Sequence, residues 1–496
     1  MSHYIMSIDQ GTTGTTAAIL NHGGHVVAKV NREYEQIFPK PGWVEHNPEH
    51  IWQSVISTVQ EVLQKSGINP MEIAGIGITN QRETTLVWDP QTGVPVYNAI
   101  VWQCRRTHDF CEKLKKARKE KIINKKTGLV IDPYFSATKF RWILDNVAGA
   151  RKKASQGKLI GGTIDTYLVW RLTKGVSHIT DVSNASRTML MNIDKGDWDD
   201  ELLKLFSVPR SLLPQIRPSS GVLGRTKGVA GLPDGIPISG VAGDQQAALF
   251  GQTCFAVGDA KCTFGTGSFL LLNTGSRRLH SKSRILSTVA WQLGNEKKLT
   301  YALEGGAFIC GAAVQWLRDG LKIITSSSEV ETLARSVEDS GGVEFVPSLT
   351  GLGAPHWDAA ARGLICGLTR GSTNAHLARA TLEAMALQNV DILLAMQNDL
   401  GKKLRELKVD GGAVANNLLM QLQSDYLGQS VFRPKMIEST VVGAGYLAGL
   451  GVGYWRDTAE LKKIWSLDRE FKPNINLKVR QNRLKLWHKA ISRARL

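Results

Sequence analysis

Apolar runs and alternating stretches divide the chain into two halves that read alike. Tyr4–Ile8 is an apolar run of buried-strand length, the Gly/Thr-rich segment Asp9–Thr16 turns the chain, and Ala17–Leu20 returns as a second strand. His25–Val30 follows the Asn21–Gly24 turn as a third. Asn47-Pro48 opens a helix as cap and first residue. Ile51, Trp52, Val55, Ile56, Val59, Val62 and Leu63 share one face of it, and Gly67 ends it. Ala74–Thr79 is another buried strand. Thr163–Leu172 and Asp197–Phe206 read as helices, Gly228–Pro237 as a Gly/Pro-rich connection, and Ile236–Ala242 as an apolar strand leading into Gly243-Asp244-Gln245-Gln246. The opening pattern then recurs: Gly258–Phe264, the turn Gly265-Thr266-Gly267-Ser268, and Phe269–Asn273. Leu407–Asp410 reads as a strand, followed by Gly411-Gly412 and a helix carrying Leu418, Leu419, Leu422 and Tyr426. A strand, a Gly/Thr turn and a strand in each half predict a duplicated α/β architecture, with one domain over 1–249 and the other over 250–496.

Composition narrows the class. With 496 residues, 42% hydrophobic and 21% charged, the chain is globular and too long for one core. Its six cysteines (104, 111, 254, 262, 310, 366) show neither paired nor metal-ligand spacing, which argues against a disulfide framework or a zinc site and fits a reducing, cytoplasmic setting. The start has no basic segment before an apolar core, so no signal peptide is expected. Thr440–Trp455 is uncharged but short and Gly-rich; it predicts a close-packed buried helix and no membrane span. The net charge of +17 is concentrated in Lys113–Lys126 and Lys472–Arg495. Both blocks interleave apolar residues at helical spacing and read as solvated helix faces. Polyanion binding is the competing reading, but no motif supports it and no nucleic-acid partner is expected.

Candidate chemistry gathers at strand ends. Asp244 reads either as a helix N-cap or as a base that takes a proton from a substrate alcohol attacking a phosphoryl group. Asp9, leaving a buried strand beside a Gly/Thr turn, suits a metal held through water, and the turn itself suits a polyphosphate. Arg82-Glu83 reads as a polyol clamp or as a surface ion pair. Trp102 and Tyr134 stand beside polar groups, as core aromatics or as a wall for a ligand. Gly411-Gly412 before a helix suits a nucleotide.

These signatures, in this order, resemble the actin–hexokinase (ribonuclease H-like) superfold, which implies two similar domains with ATP in the cleft between them. Tyr134–Asn146 and Gly363–Glu383 resemble the two signatures of the FGGY carbohydrate kinases. Asp9–Thr13, Pro41–His46, Thr79–Thr84, Val101–Thr107, Asp181–Leu190, Ala242–Leu249, Gly351–Pro355 and Asp410–Asn417 resemble that family's glycerol kinases over nearly the whole chain. The resemblance implies transfer of a phosphoryl group from ATP to glycerol, giving sn-glycerol 3-phosphate and ADP. Arg82, Glu83, Tyr134, Asp244 and Gln245 would bond the glycerol hydroxyls, and Trp102 and Phe269 would pack its carbons. Thr12, Thr13, Gly14 and Thr266 would contact phosphates, and Gly311, Gln315, Gly412 and Asn416 would hold the nucleoside. Asp244 would be the base, with Asp9 and Asp244 flanking Mg2+. A homodimer or homotetramer is expected from the same source. One departure stands out: Thr16 occupies a position where these kinases commonly carry Arg. The competing readings are a related small-polyol or sugar kinase, and an impaired nucleotide-binding protein acting through its basic surfaces.

Overall fold

Two mixed sheets carry the fold, and both are wired the same way. The computed structural model describes residues 3–294, 296–358 and 360–495. In the first half, β1 (Tyr4–Gln10), β2 (Gly14–Leu20) and β3 (Val26–Glu33) form an antiparallel meander. Helix α1 (Pro48–Ser66) follows, then β4 (Ile73–Asn80), which pairs parallel with β1. After α2 (Ser136–Asn146), β5 (Ser220–Arg225) leads to β6 (Pro237–Gly243), which lies parallel to β4. The strand order is β5-β6-β4-β1-β2-β3.

Helix α3 (Asp244–Gly251) opens the passage to the second half. There β7 (Asp259–Phe264), β8 (Ser268–Gly275), β9 (Leu286–Trp291) and β10 (Thr300–Ala307) precede α4 (Gly311–Asp319) and the long α5 (Asn374–Leu400). Then come β11 (Glu406–Asp410), α6 (Asn417–Leu427), β12 (Val431–Pro434), α7 (Ser439–Gly451), β13 (Leu467–Phe471) and α8 (Leu477–Ala494). The order is β9-β10-β8-β7-β11-β12-β13, with β7, β11 and β12 parallel. Three antiparallel strands followed by two parallel ones thus occur in each half, β1-β2-β3 with β4 and β6, and β7-β8-β10 with β11 and β12, while β9 is added outside β10; this is the duplication the Gly/Thr turns predict.

Local chemistry explains the element ends. Asn47 caps α1 by accepting from the Glu49 N–H at 2.9 Å, and Gly67 leaves the helix at φ 65°. Three expectations need correction. Thr163 closes a short strand, Ile160–Thr163, and the helix starts at Ile164. The helix expected from Asp197 starts at Asp200, because Asp197 accepts from the Trp198 N–H while Asp199 caps the Glu201 and Leu202 N–H groups. The basic block Lys113–Lys126 spans two helices, His108–Lys116 and Glu120–Thr127, broken at Arg118 with φ 56°.

Helix α7, from the C-terminal half of the sequence, packs against the first sheet: Ser220 and Ser239 donate to the Leu447 and Ala448 carbonyls at 2.8 and 2.9 Å. It also crosses α3 at van der Waals distance, where Gly443 meets the Ala247 carbonyl and Gly251 meets the Ser439 carbonyl. Ile5, Leu20, Ala247, Phe250, Val441, Val442 and Leu447 share one buried cluster there. This is the close-packed helix expected over Thr440–Trp455. Among the described residues no helix is long and apolar enough to cross a membrane.

The last helix is tied down by a titratable link. Asp391 of α5 accepts from His488 of α8 at 2.7 Å on Oδ1 and from Trp487 of α8 at 2.7 Å on Oδ2, where His356 also lies, at 3.3 Å. The hydrogen bond to Asp391 raises the His488 pKa, while burial opposes the Asp391 charge and the bonds from His356 and His488 hold its pKa down. A histidine pKa raised on folding stabilises below the unfolded value and loses that contribution as pH rises through the folded one. The melting temperature of His488→Gln should therefore lie below that of the parent at about pH 6, with the gap closing by about pH 9. Paired melts across that range check it.

Candidate active site

The C-terminal ends of β1, β4 and β6 line up because the three strands are parallel, with Asp9 beside Thr79 and Asn80 beside Gly243 in register. Side chains leaving these ends therefore converge, as expected at the carboxyl edge of a parallel sheet. Asn80 and Asn184 exchange two bonds of 3.0 Å that anchor the end of β4. The next residues, Gln81, Arg82 and Glu83, are all buried.

Arg82-Glu83 is not a surface pair. The Arg82 side chain is 2% exposed and the Glu83 side chain 1%, and their charged groups stand 4.0 Å apart. Glu83 adopts φ 61°, a left-handed conformation that costs a non-glycine residue energy and concentrates at functional sites. Arg82 Nε lies 3.0 Å from Asp244, and its Nη2 donates to the Tyr134 hydroxyl at 3.3 Å. Its terminal nitrogens grip Glu304 at 2.5 and 2.9 Å. Glu83 takes a 2.6 Å bond from Arg187, which also reaches Glu304 at 3.0 Å.

Asp244 is not a cap. It is the first residue of α3 and its side chain turns to Arg82 and to the Gln245 N–H at 2.7 Å. Burial raises its pKa and Arg82 opposes the rise. Burial, then Asp244 and Glu438, push Asp9 up to about 8. The Asp244 charge thus works against ionisation of the half-buried Asp9 unless a cation joins them. No group of three or more His, Cys, Asp or Glu side chains among the described residues is arranged to hold a metal ion. The pair therefore fits a hard cation that brings its remaining oxygens from water and phosphate.

An aromatic wall joins this cluster to the first hairpin. Trp102 and Tyr134 meet edge-to-face at 5.5 Å, and Trp102 Nε1 donates to Thr12 Oγ1 at 2.9 Å. The turn carbonyls, which would repel an anion, are occupied: Tyr34 donates to those of Gly11 and Thr12, and the Tyr34 N–H to that of Thr13. Thr13 is exposed and Gly14 begins β2. Thr16 lies opposite Asp9 in register and accepts from Asn31 at 2.9 Å.

In the second half, the hairpin around Thr266 abuts the start of α4: the Gly311 N–H bonds the Gly265 carbonyl at 2.9 Å and the Ala312 N–H bonds that of Thr266 at 3.1 Å. These bonds take up the first N–H groups of α4, so it is the helix dipole and the exposed Thr266 that suit an anion here. Gln315 is exposed on the same helix and Gly412 is exposed after β11, where Gly411 packs on Phe264 at the hairpin's entry. Asn416 uses its side-chain oxygen to cap α6 through the Leu419 N–H at 2.9 Å, which leaves its amide nitrogen for a ligand. Phe269 sits half-buried on β8.

Contacts from this cluster that cross between the halves include Arg82 and Arg187 to Glu304 on β10, and Gln245 to the buried Lys261 on β7. Sequence reasoning missed Glu304, Lys261 and the role of Arg187. Glu304 carried a signal, the lone charge of an otherwise uncharged strand, whereas Lys261 shares its strand with Asp259. A cavity of about 600 Å³ lined by His3, His22, Ala74, Val452, Gly453 and Tyr454 opens at the opposite, N-terminal edge of the first sheet, away from this chemistry.

The profile of the FGGY family of carbohydrate kinases, N-terminal domain, matches residues 4–251, and that of its C-terminal domain matches residues 260–452. A glycerol kinase of Bdellovibrio bacteriovorus is 62% identical over 493 residues, covering 99% of either chain. Glycerol kinase 2 of Thermotoga maritima is 56% identical over 492 residues, 99% of this chain and 98% of its own. The crystal structure of Plasmodium falciparum glycerol kinase with ADP superposes with a TM-score of 0.94 at 36% identity, over 99% of this chain and 98% of that one.

Proposed function

The chain belongs to the FGGY family of carbohydrate kinases, and we propose that it transfers the γ-phosphoryl group of ATP to glycerol, giving sn-glycerol 3-phosphate and ADP. The observation that carries this reading is the cluster at the ends of β4 and β6, where Arg82 reaches Asp244 at 3.0 Å and the Tyr134 hydroxyl at 3.3 Å. Full-length identity of 62% to a glycerol kinase supports glycerol over other polyols or sugars. The intact Asp9, Arg82, Glu83 and Asp244 argue against an impaired nucleotide-binding protein.

Each residue then has a physical task. Arg82 and Tyr134 donate to hydroxyl oxygens, Glu83 accepts from a hydroxyl hydrogen, and Trp102 with Phe269 covers the carbons. The terminal hydroxyl attacks phosphorus along the line of the departing ADP oxygen, and Asp244 takes the hydroxyl proton as the new P–O bond forms. Gln245 fixes the alcohol beside Asp244. Thr12, Thr13, Gly14 and Thr266 hold phosphate oxygens, and Gly311, Gln315, Gly412 and Asn416 hold the nucleoside. Mg2+ supplies charge neutralisation of the phosphates when bound, and Asp9 with Asp244 would hold it through oxygen donors. Enclosing the reactants between the halves excludes water, which otherwise competes as acceptor. The cytoplasm and a homodimeric or homotetrameric state complete the proposal.

ADP release from the purified protein with Mg-ATP, with and without glycerol, tests the reading; release that ignores glycerol overturns it. The aromatic wall gives a second expectation. Trp102→Ala should raise the glycerol KM about tenfold, through lost apolar contact with the glycerol carbons of roughly 1–2 kcal/mol. It should leave the ATP KM within about twofold, since the indole reaches only Thr12 of the phosphate hairpin. Initial rates at varied glycerol and varied ATP check both.

A further inference from the structure

Five charged side chains meet in this site: Arg82, Arg187, Glu83, Glu304 and Asp244. The first four are buried, with side-chain exposures of 2, 0, 1 and 3%. Four of the five come from the first half. Glu304 alone comes from the second, on β10, where its register with Leu271 and that of Gly306 with Phe269 put Glu304 and Phe269 on the same face of the sheet.

Glu304 stands between two guanidiniums that would otherwise repel. It takes both terminal nitrogens of Arg82 and one of Arg187. Burial works against its charge, yet Arg187 and Arg82 hold its carboxyl below the ordinary value, so it is ionised. The two-pronged grip fixes the plane of the Arg82 guanidinium, which leaves Nε on Asp244 and turns Nη2 toward Tyr134. Arg187 extends the chain by fixing Glu83. Its Nη1 is buried with no hydrogen-bond partner, and its guanidinium carbon lies 5.6 Å from the Tyr134 ring.

We propose that Glu304, acting with Arg187, is a positioning residue for glycerol: it reaches across from the second half to set the Arg82–Glu83 clamp, so that the polyol site is complete only when both halves contribute. This rests on the glycerol reading. Bidentate hold on an arginine matters most where that arginine must meet a small ligand with few contacts, because a wandering guanidinium costs the ligand the entropy of fixing it.

The test is steady-state kinetics of the full chain carrying Glu304→Gln, Glu304→Asp or Arg187→Lys. Glu304→Gln keeps the shape and removes the charge; the expected result is a glycerol KM raised about ten- to a hundredfold with the ATP KM within about twofold. Glu304→Asp keeps the charge and should recover part of the loss. Arg187→Lys keeps its charge but cannot span Glu83 and Glu304, and should raise the glycerol KM as well. A merely structural role lowers the active fraction and leaves KM in place. A glycerol KM within about twofold of the parent in Glu304→Gln, or an ATP KM that rises with it, overturns the inference. Should Glu304→Gln not fold, Arg187→Lys decides by the same criterion; if neither folds, the residues are structural and the inference fails. Parent protein that releases no ADP in response to glycerol sinks the glycerol reading itself, whereas an active parent with an unaltered Glu304→Gln sinks only this inference.

Discussion

Asp244→Asn removes glycerol-dependent ADP release, by about a thousandfold or more in kcat, while glycerol and ATP still bind. The substitution is nearly isosteric, so α3 and its crossing with α7 should be undisturbed. The amide still accepts from the Gln245 N–H, and Arg82 keeps its two bonds to Glu304. What disappears is the only group at the end of β6 that can accept a proton. The phosphoryl transfer itself needs little covalent help, so part of the barrier is still met by positioning and by the anion-binding turns. That residual assistance is why the loss is expected near a thousandfold instead of being complete. Asp244→Asn also takes away one of the two carboxylates, Asp244 and Glu438, that raise the Asp9 pKa. Binding of Mg-ATP should weaken modestly, a change in ATP KM separable from the change in kcat. Retained kcat in Asp244→Asn, with confirmed folding, would move the base to another residue.

Much of this site is legible in the sequence because the signals are local. A strand followed by Gly and Thr marks a phosphate turn in either half. Asn47-Pro48 and Gly67 mark α1 to the residue, since caps and φ preferences act within one turn. Asp9, Arg82, Glu83 and Asp244 stand out as charges at strand ends. Local signals also mislead. Asp197 is as good a cap as Asp199 on paper, but its oxygen is spent on the Trp198 N–H. Lys113–Lys126 keeps helical spacing across Arg118, where the backbone turns left-handed. Glu304 and Lys261 were passed over because charges inside apolar strands look like noise until a partner from a distant strand is known. Arg187 lies in a stretch that resembles the family, yet its partners, Glu83 and Glu304, are more than a hundred residues away on either side. The placement of α7 on the first sheet has no local signature at all. Its glycines predict close packing but not against what.

That placement yields a second large effect. Gly443→Val should lower the melting temperature of the first unfolding transition sharply, by a loss of about 3 kcal/mol or more, and Gly443→Ala should already cost measurable stability. Gly443 is inside a helix, where alanine and valine are allowed by the backbone, so propensity alone would favour alanine. Packing reverses the sign. An added Cβ would run into the Ala247 carbonyl and the Gly251 N–H of α3, both backbone, which no rotamer change can relieve. The helices must separate, and the buried cluster of Phe250, Val441, Val442 and Leu447 opens with them. Gly371→Ala is the control: its Cβ would meet only the Thr369 hydroxyl at 3.8 Å. The consequence reaches the chemistry, because α3 begins at Asp244, and α7 begins at Ser439, which hydrogen-bonds Asp410 at the end of β11. One helix carries the proposed base and the other adjoins the strand that leads to Gly412. A Gly443→Ala protein that still folds should therefore show a changed kcat as well as a lower melting temperature, whereas a lower melting temperature with unchanged kcat would confine this crossing to stability.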